Sequence, residues 1–162
     1  PNLYIKKSSN IGLQTINPDR ILEMDLLRWL LMLPEGREKF LTLTQENLKP
    51  QDLRVVICQK LYLCLSDALQ KNEPTDLISL ILKIEDPEGQ VLVSELLEKK
   101  INKEKADAFF METLQKILNR NWMSACEDIK MKIQSGQCSD DEALELVKDY
   151  NELRKNPPKI KT

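Results

Sequence analysis

Apolar side chains recur three or four residues apart along most of this chain, the spacing of one face of an α-helix. The longest such run covers residues 103–135 and has neither proline nor glycine inside it. Ala106, Phe110, Leu114, Ile117, Leu118, Trp122, Ala125, Ile129 and Ile133 mark its stripe. At 1.5 Å per residue it predicts a helix about 50 Å long, more than a compact domain of this size needs. Its first half packs on what precedes it, and its second half reaches away. After Gly136, suited to the left-handed position past a helix end, one more helix is predicted, which can only fold back on that far half. Ser139 and Glu142 form its capping box, the Ser139 hydroxyl accepting from the Glu142 N–H while the carboxylate reaches back. That last helix covers 140–155, with Ala143, Leu144, Val147, Tyr150, Asn151 and Leu153 on a continuous face.

The body comes before the long helix. Asn17 is read as an N-cap and Pro18 as the first residue of a helix that is apolar nearly all round and so central to the core, Trp29 included; Pro34 and Gly36 stop it. Shorter helices follow at about 37–43, from Pro50 to about Lys71, at 76–84 capped by Thr75, and at 88–99 capped by Asp86-Pro87. Short connections imply neighbouring helices, giving a bundle of roughly five or six. The fold class is therefore all-α: residues 1–16 a linker from a preceding domain, 17–121 a helical-bundle body including the start of the long helix, 122–155 a C-terminal hairpin, and 156–162 a frayed tail. A hairpin of two helices buries little surface of its own, so its angle to the body should vary, and exchange of hairpins between two copies is open to it. Trp122 falls at the joint.

Composition narrows the function. Lys and Arg number 24 against 26 Asp and Glu, a net charge of −2, which gives no footprint for nucleic acid as the main ligand. A helix-turn-helix reading of the hairpin fails because its second helix opens Asp140, Asp141, Glu142 and adds Glu145, Asp149 and Glu152, which phosphates repel. The chain has no histidine, and its four cysteines, Cys58, Cys64, Cys126 and Cys138, form no CxxC pair. Cys/His zinc and His-based catalysis are not served by this set, and the thiols read as reduced. No apolar run approaches the roughly 18 residues of a membrane span. Glycine-rich phosphate loops, metal-ligand spacings and nucleophile elbows are absent, so no cofactor or metal site is predicted. The acidic pairs Glu85-Asp86, Glu127-Asp128 and Asp140-Asp141 sit where caps, helix dipoles or solvated faces explain them.

What remains is protein contact. Some of Leu144, Leu146, Val147 and Tyr150 must pack on Ile129 and Ile133, yet the hairpin has more apolar positions than one seam covers. The surplus (Leu146, with Tyr150 or Leu153) suggests a partner surface of the helix-pair type. The alternative, that all of them complete the seam, stays open.

The segments ILEMDLLRWLLMLPE (21–35), LISLILKIEDPEGQVLVSELL (77–97) and IKMKIQSGQCSDDEALELVKDYNELRK (129–155) together resemble the C-terminal helicase-binding domain of bacterial replicative DNA primases of the DnaG type. No one motif is diagnostic; their order and spacing carry the likeness, from about residue 17 to 155. The resemblance implies a cytoplasmic replisome component that docks on the N-terminal domains of the hexameric replicative helicase, and a parent primase whose zinc-binding and polymerase domains lie outside this chain. The opening at Pro1, without an initiating methionine, agrees with a piece of a longer protein. By position, the resemblance implies helicase contact at Leu144, Leu146, Val147, Tyr150, Asn151, Leu153, Arg154 and Lys155. It also raises a second partner, the acidic tail of single-stranded-DNA-binding protein, for which Arg20 and Arg28 are the basic candidates among Glu23 and Asp25. Two other classes stay open: a stand-alone scaffold or helicase-loader-like regulator, and an enzyme using the carboxylate pairs with a bound metal.

Overall fold

The structure, a computed structural model, describes residues 17–33 and 35–162. The linker expected at 1–16 and the helix stop expected at Pro34 lie outside these. The described residues form seven α-helices and two short 3₁₀ turns, with no strand among them: α1 Pro18–Met32, α2 Arg37–Asn47, α3 Val56–Gln70, α4 Leu77–Ile84, α5 Glu88–Glu98, α6 Ala106–Gln134 and α7 Asp140–Lys155.

The helix starts follow local chemistry. Asn17 Oδ1 accepts from the N–H groups of Asp19 and Arg20, closing the first turn of α1 behind Pro18. Asp76, not Thr75, caps α4: its carboxylate accepts from the Ser79 N–H at 3.1 Å. The capping box of α7 is formed by Ser139 and Glu142 as the spacing requires. Gly136 ends the reach of α6 with φ +69°, a value a side chain would strain.

α1 is the hub of the body and packs on α2, α3, α5 and α6. Leu26, Leu27 and Leu30 on it are fully buried and Trp29 nearly so. Around them close Phe40 of α2, Ile57, Leu61 and Leu65 of α3, Leu80 of α4, Leu92 and Leu96 of α5, and Phe110, Leu114 and Ile117 of α6. The Phe40 and Phe110 rings stack with centroids 4.2 Å apart, tying α2 to the first half of α6. Tyr62 is buried with its hydroxyl donating to the Leu48 carbonyl at 2.9 Å, and burial pushes its phenol up to about 12.

Several boundaries differ from the expectation: α2 runs on to Asn47 instead of ending near Leu43, and α6 begins at Ala106 after a 3₁₀ turn at Lys103–Lys105. The predicted helix from Pro50 to Lys71 is interrupted: Pro50–Asp52 is a 3₁₀ turn and α3 begins only at Val56. The cause is long-range. The Glu23 carboxylate, fully buried on α1, accepts from the N–H groups of Arg54 and Val55 at 2.9–3.0 Å, drawing them out of helical pairing. α6 itself, 29 residues, is about 44 Å long.

Candidate functional site

α6 carries two stripes, and the change from one to the other is the joint. Ala106, Phe110, Leu114 and Ile117 face the body and are buried. Trp122, Cys126, Ile129 and Ile133 then keep a four-three-four spacing on the face that meets α7; Cys126 is buried and the others half-buried.

Between the stripes, consecutive residues bind opposite ways. Arg120 lies against the start of α1, donating to Glu23 Oε2 at 2.6 Å, to Asp19 Oδ1 at 3.2 Å and to the Asp52 carbonyl at 3.3 Å. Asn121 donates to the same carbonyl at 3.0 Å. Arg54 completes the cluster, pairing with Asp19 at 3.3 Å and reaching the Ser124 hydroxyl. Trp122, next along, instead donates its indole N–H to the Leu153 carbonyl near the end of α7, at 2.8 Å. An otherwise costly buried carboxylate, Glu23, is thus met by an arginine and two backbone donors, and the exit of α6 from the body is fixed by charge. Sequence reasoning missed this cluster because Glu23 and Arg120 at its centre are 97 residues apart in the chain. The only local hint was a glutamate inside an apolar helix.

The hairpin residues singled out from the sequence divide by phase. Ala143, Leu146, Tyr150 and Leu153, spaced three-four-three, are half-buried and form the face turned to α6. Leu144, 57% exposed, and Val147, 39% exposed, lie on the neighbouring face with Asn151, Arg154 and Lys155, all open to solvent. The apolar surplus is therefore Leu144 and Val147 rather than Leu146, since a helix cannot turn both rows to one partner. Arg154 donates to the Tyr150 hydroxyl at 3.2 Å and sits 5.8 Å from its ring centre. Acidic residues fill the first turn of α7 and basic ones the last, matching the helix dipole.

The other candidates have structural partners. Arg20 donates a two-pronged bond to Glu95, both contacts 2.9 Å, and this hydrogen bond to the carboxylate raises its already high pKa. Arg28 is buried and donates to the carbonyls of Glu95 and Leu96 at 3.0 Å, supplying the last turn of α5, and to Asp25 at 2.6 Å. Both guanidiniums are engaged within the body, Arg20 by Glu95 and Arg28 by Asp25 and the end of α5. Asp86 accepts from the Glu88 N–H and pairs with Lys60 at 2.8 Å. Among the described residues no three His, Cys, Asp or Glu side chains converge as a metal site, and no helix is long and apolar enough to cross a membrane. Burial pushes the Cys58 thiol up to about 12 and raises Cys64, the reverse of an activated nucleophile.

The tail expected to fray, residues 156–162, instead lies against the body. Gln115 donates to the Pro158 carbonyl, and Asn47 bonds both backbone groups of Lys161.

The geometry is that of a helical body, a long helix tied to it by ion pairs, and a hairpin with an exposed apolar pair on α7. Among known proteins the chain is similar to a DNA primase from Chlamydia pneumoniae, 29% identical over 144 residues that cover 87% of this chain and 23% of that protein. The likeness supports a primase-related domain, and the chain spans less than a quarter of that relative's length. No family model matches the chain, and no solved structure matches it.

Proposed function

We propose that this chain is the helicase-docking domain of a DNA primase and that it binds the N-terminal domains of a hexameric replicative helicase through α7. The observation that carries the reading is the similarity to a DNA primase, which covers 87% of this chain yet 23% of the relative. The architecture supports it: the apolar pair Leu144 and Val147, exposed on α7, is suited to recruiting a partner. In this reading Leu144 and Val147 are the anchors, with Asn151, Arg154 and Lys155 as a polar and basic rim. Leu146, Tyr150 and Leu153 support them from the seam. Docking brings primer synthesis, carried by the remainder of the primase, to the fork and modulates the helicase.

Size-exclusion chromatography of the chain with a bacterial replicative helicase tests this. The full chain should co-elute with the hexamer, and a version ending at Gln134 should lose most of its binding. If both co-elute equally, the contact lies on the body and the α7 assignment is wrong. If neither does with a cognate helicase, the docking reading fails.

A further inference from the structure

Residues 157–162 form an extended strap running from the end of α7 back across the body to the groove between α2 and α6. Side chains of the body, not its backbone, read the strap's main chain. Pro157 and Pro158 have no N–H to offer, and Gln115 Nε2 on α6 supplies a donor to the Pro158 carbonyl at 2.8 Å. Lys161 offers both groups, and the Asn47 amide meets both: the Lys161 N–H donates to Asn47 Oδ1 at 2.7 Å, and Asn47 Nδ2 donates to the Lys161 carbonyl at 3.1 Å. Asn47 is itself steadied by a 2.8 Å bond to the Leu43 carbonyl. Between these two fixings Ile160 is half-buried against the edge of the core. Beside Thr162 the groove opens to a volume of about 600 Å³ whose walls include Leu43 and Met111, the acidic Glu38 and Glu46, and the basic Lys39.

Main-chain recognition by amide side chains, one aliphatic anchor and a proline-stiffened ligand is how extended peptides are held with little loss of entropy. We propose that the α2–α6 groove is a peptide-binding site for an extended, lysine-flanked segment with an aliphatic anchor, occupied in cis by residues 157–162, and that this occupancy latches the hairpin to the body. The topology makes the coupling direct, because the strap continues from the last turn of α7. With the strap seated, α7 is held at Leu153 by Trp122 and beyond its end by Gln115 and Asn47; with it released, the seam and Trp122 are what hold it among the described residues. A tether this short gives the strap an effective concentration in the millimolar range, so weak intrinsic affinity suffices to keep it seated. The inference stands independently of any helicase contact.

The test uses the full chain and a fluorescein-labelled heptapeptide of sequence NPPKIKT as probe. In the native chain the groove is filled, and the probe should bind poorly by fluorescence polarisation. Ile160→Asp, on an extended segment outside every helix, should vacate the groove and tighten probe binding at least about tenfold. Adding Asn47→Ala removes two hydrogen bonds to the probe and should weaken it again about tenfold or more. Lys161→Pro, which deletes one donor and leaves Ile160 in place, is the second release variant should the aspartate disturb folding by circular dichroism. In either release variant, amides of α7 should exchange with deuterium several-fold faster than in the native chain. Probe binding no better in the release variants than in the native chain overturns the site. Unchanged exchange in α7 overturns the latch.

Discussion

Glu23→Ala would leave three donors facing an empty space: the N–H groups of Arg54 and Val55 and the Arg120 guanidinium. Glu23 has no solvent-exposed surface and the Arg120 side chain only 12%, so water cannot replace the lost carboxylate without opening the joint. Breaking one partner of a buried ion pair costs about 3–5 kcal/mol. Each orphaned backbone donor adds about 1–3 kcal/mol, while Arg120 keeps Asp19 and the Asp52 carbonyl as partial relief. These penalties overlap, since the cost of breaking the pair already counts groups left unpaired. With the relief at Arg120, a net loss of about 4 kcal/mol is expected, a large share of the roughly 5–15 kcal/mol that holds a domain folded. For a chain of this length that lowers Tm by about 8–16 °C. Urea unfolding followed by tryptophan fluorescence measures it, since Trp29 reports the body and Trp122 the joint. Lys39→Ala is the control: its bridge to Asp107 is 3.4 Å long between side chains 64% and 75% exposed, and its removal should change stability by under about 0.5 kcal/mol. A Glu23→Ala loss of less than about 1 kcal/mol would refute the reasoning that this cluster fixes the strut.

Other perturbations test separate parts of the account. Trp122→Phe keeps an aromatic ring but removes the indole donor to the Leu153 carbonyl, so α7 should exchange faster while the body unfolds within about 1 kcal/mol of the native chain. Iodoacetamide at pH 8 should label half-exposed Cys138 quickly and Cys58 only on unfolding, since burial raises the Cys58 thiol to about 12; early labelling of Cys58 would contradict its burial. Hydrogen bonds from Ser79 hold the Asp76 carboxyl below its ordinary value, and Lys83 and Lys60 do the same for Glu73 and Asp86. Their charged forms are favoured in the folded chain, so their contribution is present above about pH 4, where unfolded carboxylates ionise, and is lost as pH falls through the folded values. Tm should therefore drop between pH 5 and 3, and Asp76→Asn, which keeps a cap acceptor that does not titrate, should shallow that slope.

What could be read from the sequence was local. The Asn17-Pro18 start of α1, the Ser139–Glu142 box, the Gly136 stop and the apolar stripe of α6 each depend on residues within a turn or two of one another, and each predicted element is present. What was hidden depends on partners far along the chain. The break at residues 53–55 is imposed by Glu23, and Arg20 and Arg28, the basic candidates for an acidic tail, are held by α5. Leu144 and Leu146 are indistinguishable by hydrophobicity; only the rotational setting of α7 on α6 exposes one and half-buries the other. The tail was misread for the same reason: two prolines and two lysines look like a frayed end until Asn47 and Gln115 are set beside them.

Isothermal titration of the full chain into a hexameric replicative helicase, native against Leu144→Asp/Val147→Asp, tests the central claim most directly. Both positions are exposed in the free chain, so the substitutions should leave Tm nearly unchanged. Burying a Leu or Val anchor contributes about 1.5–3 kcal/mol, and placing a carboxylate there adds a desolvation penalty, so affinity should fall at least about 100-fold. Native binding with an unaltered affinity in the double variant would contradict the α7 face as the docking site, and no binding by the native chain would contradict the docking function itself.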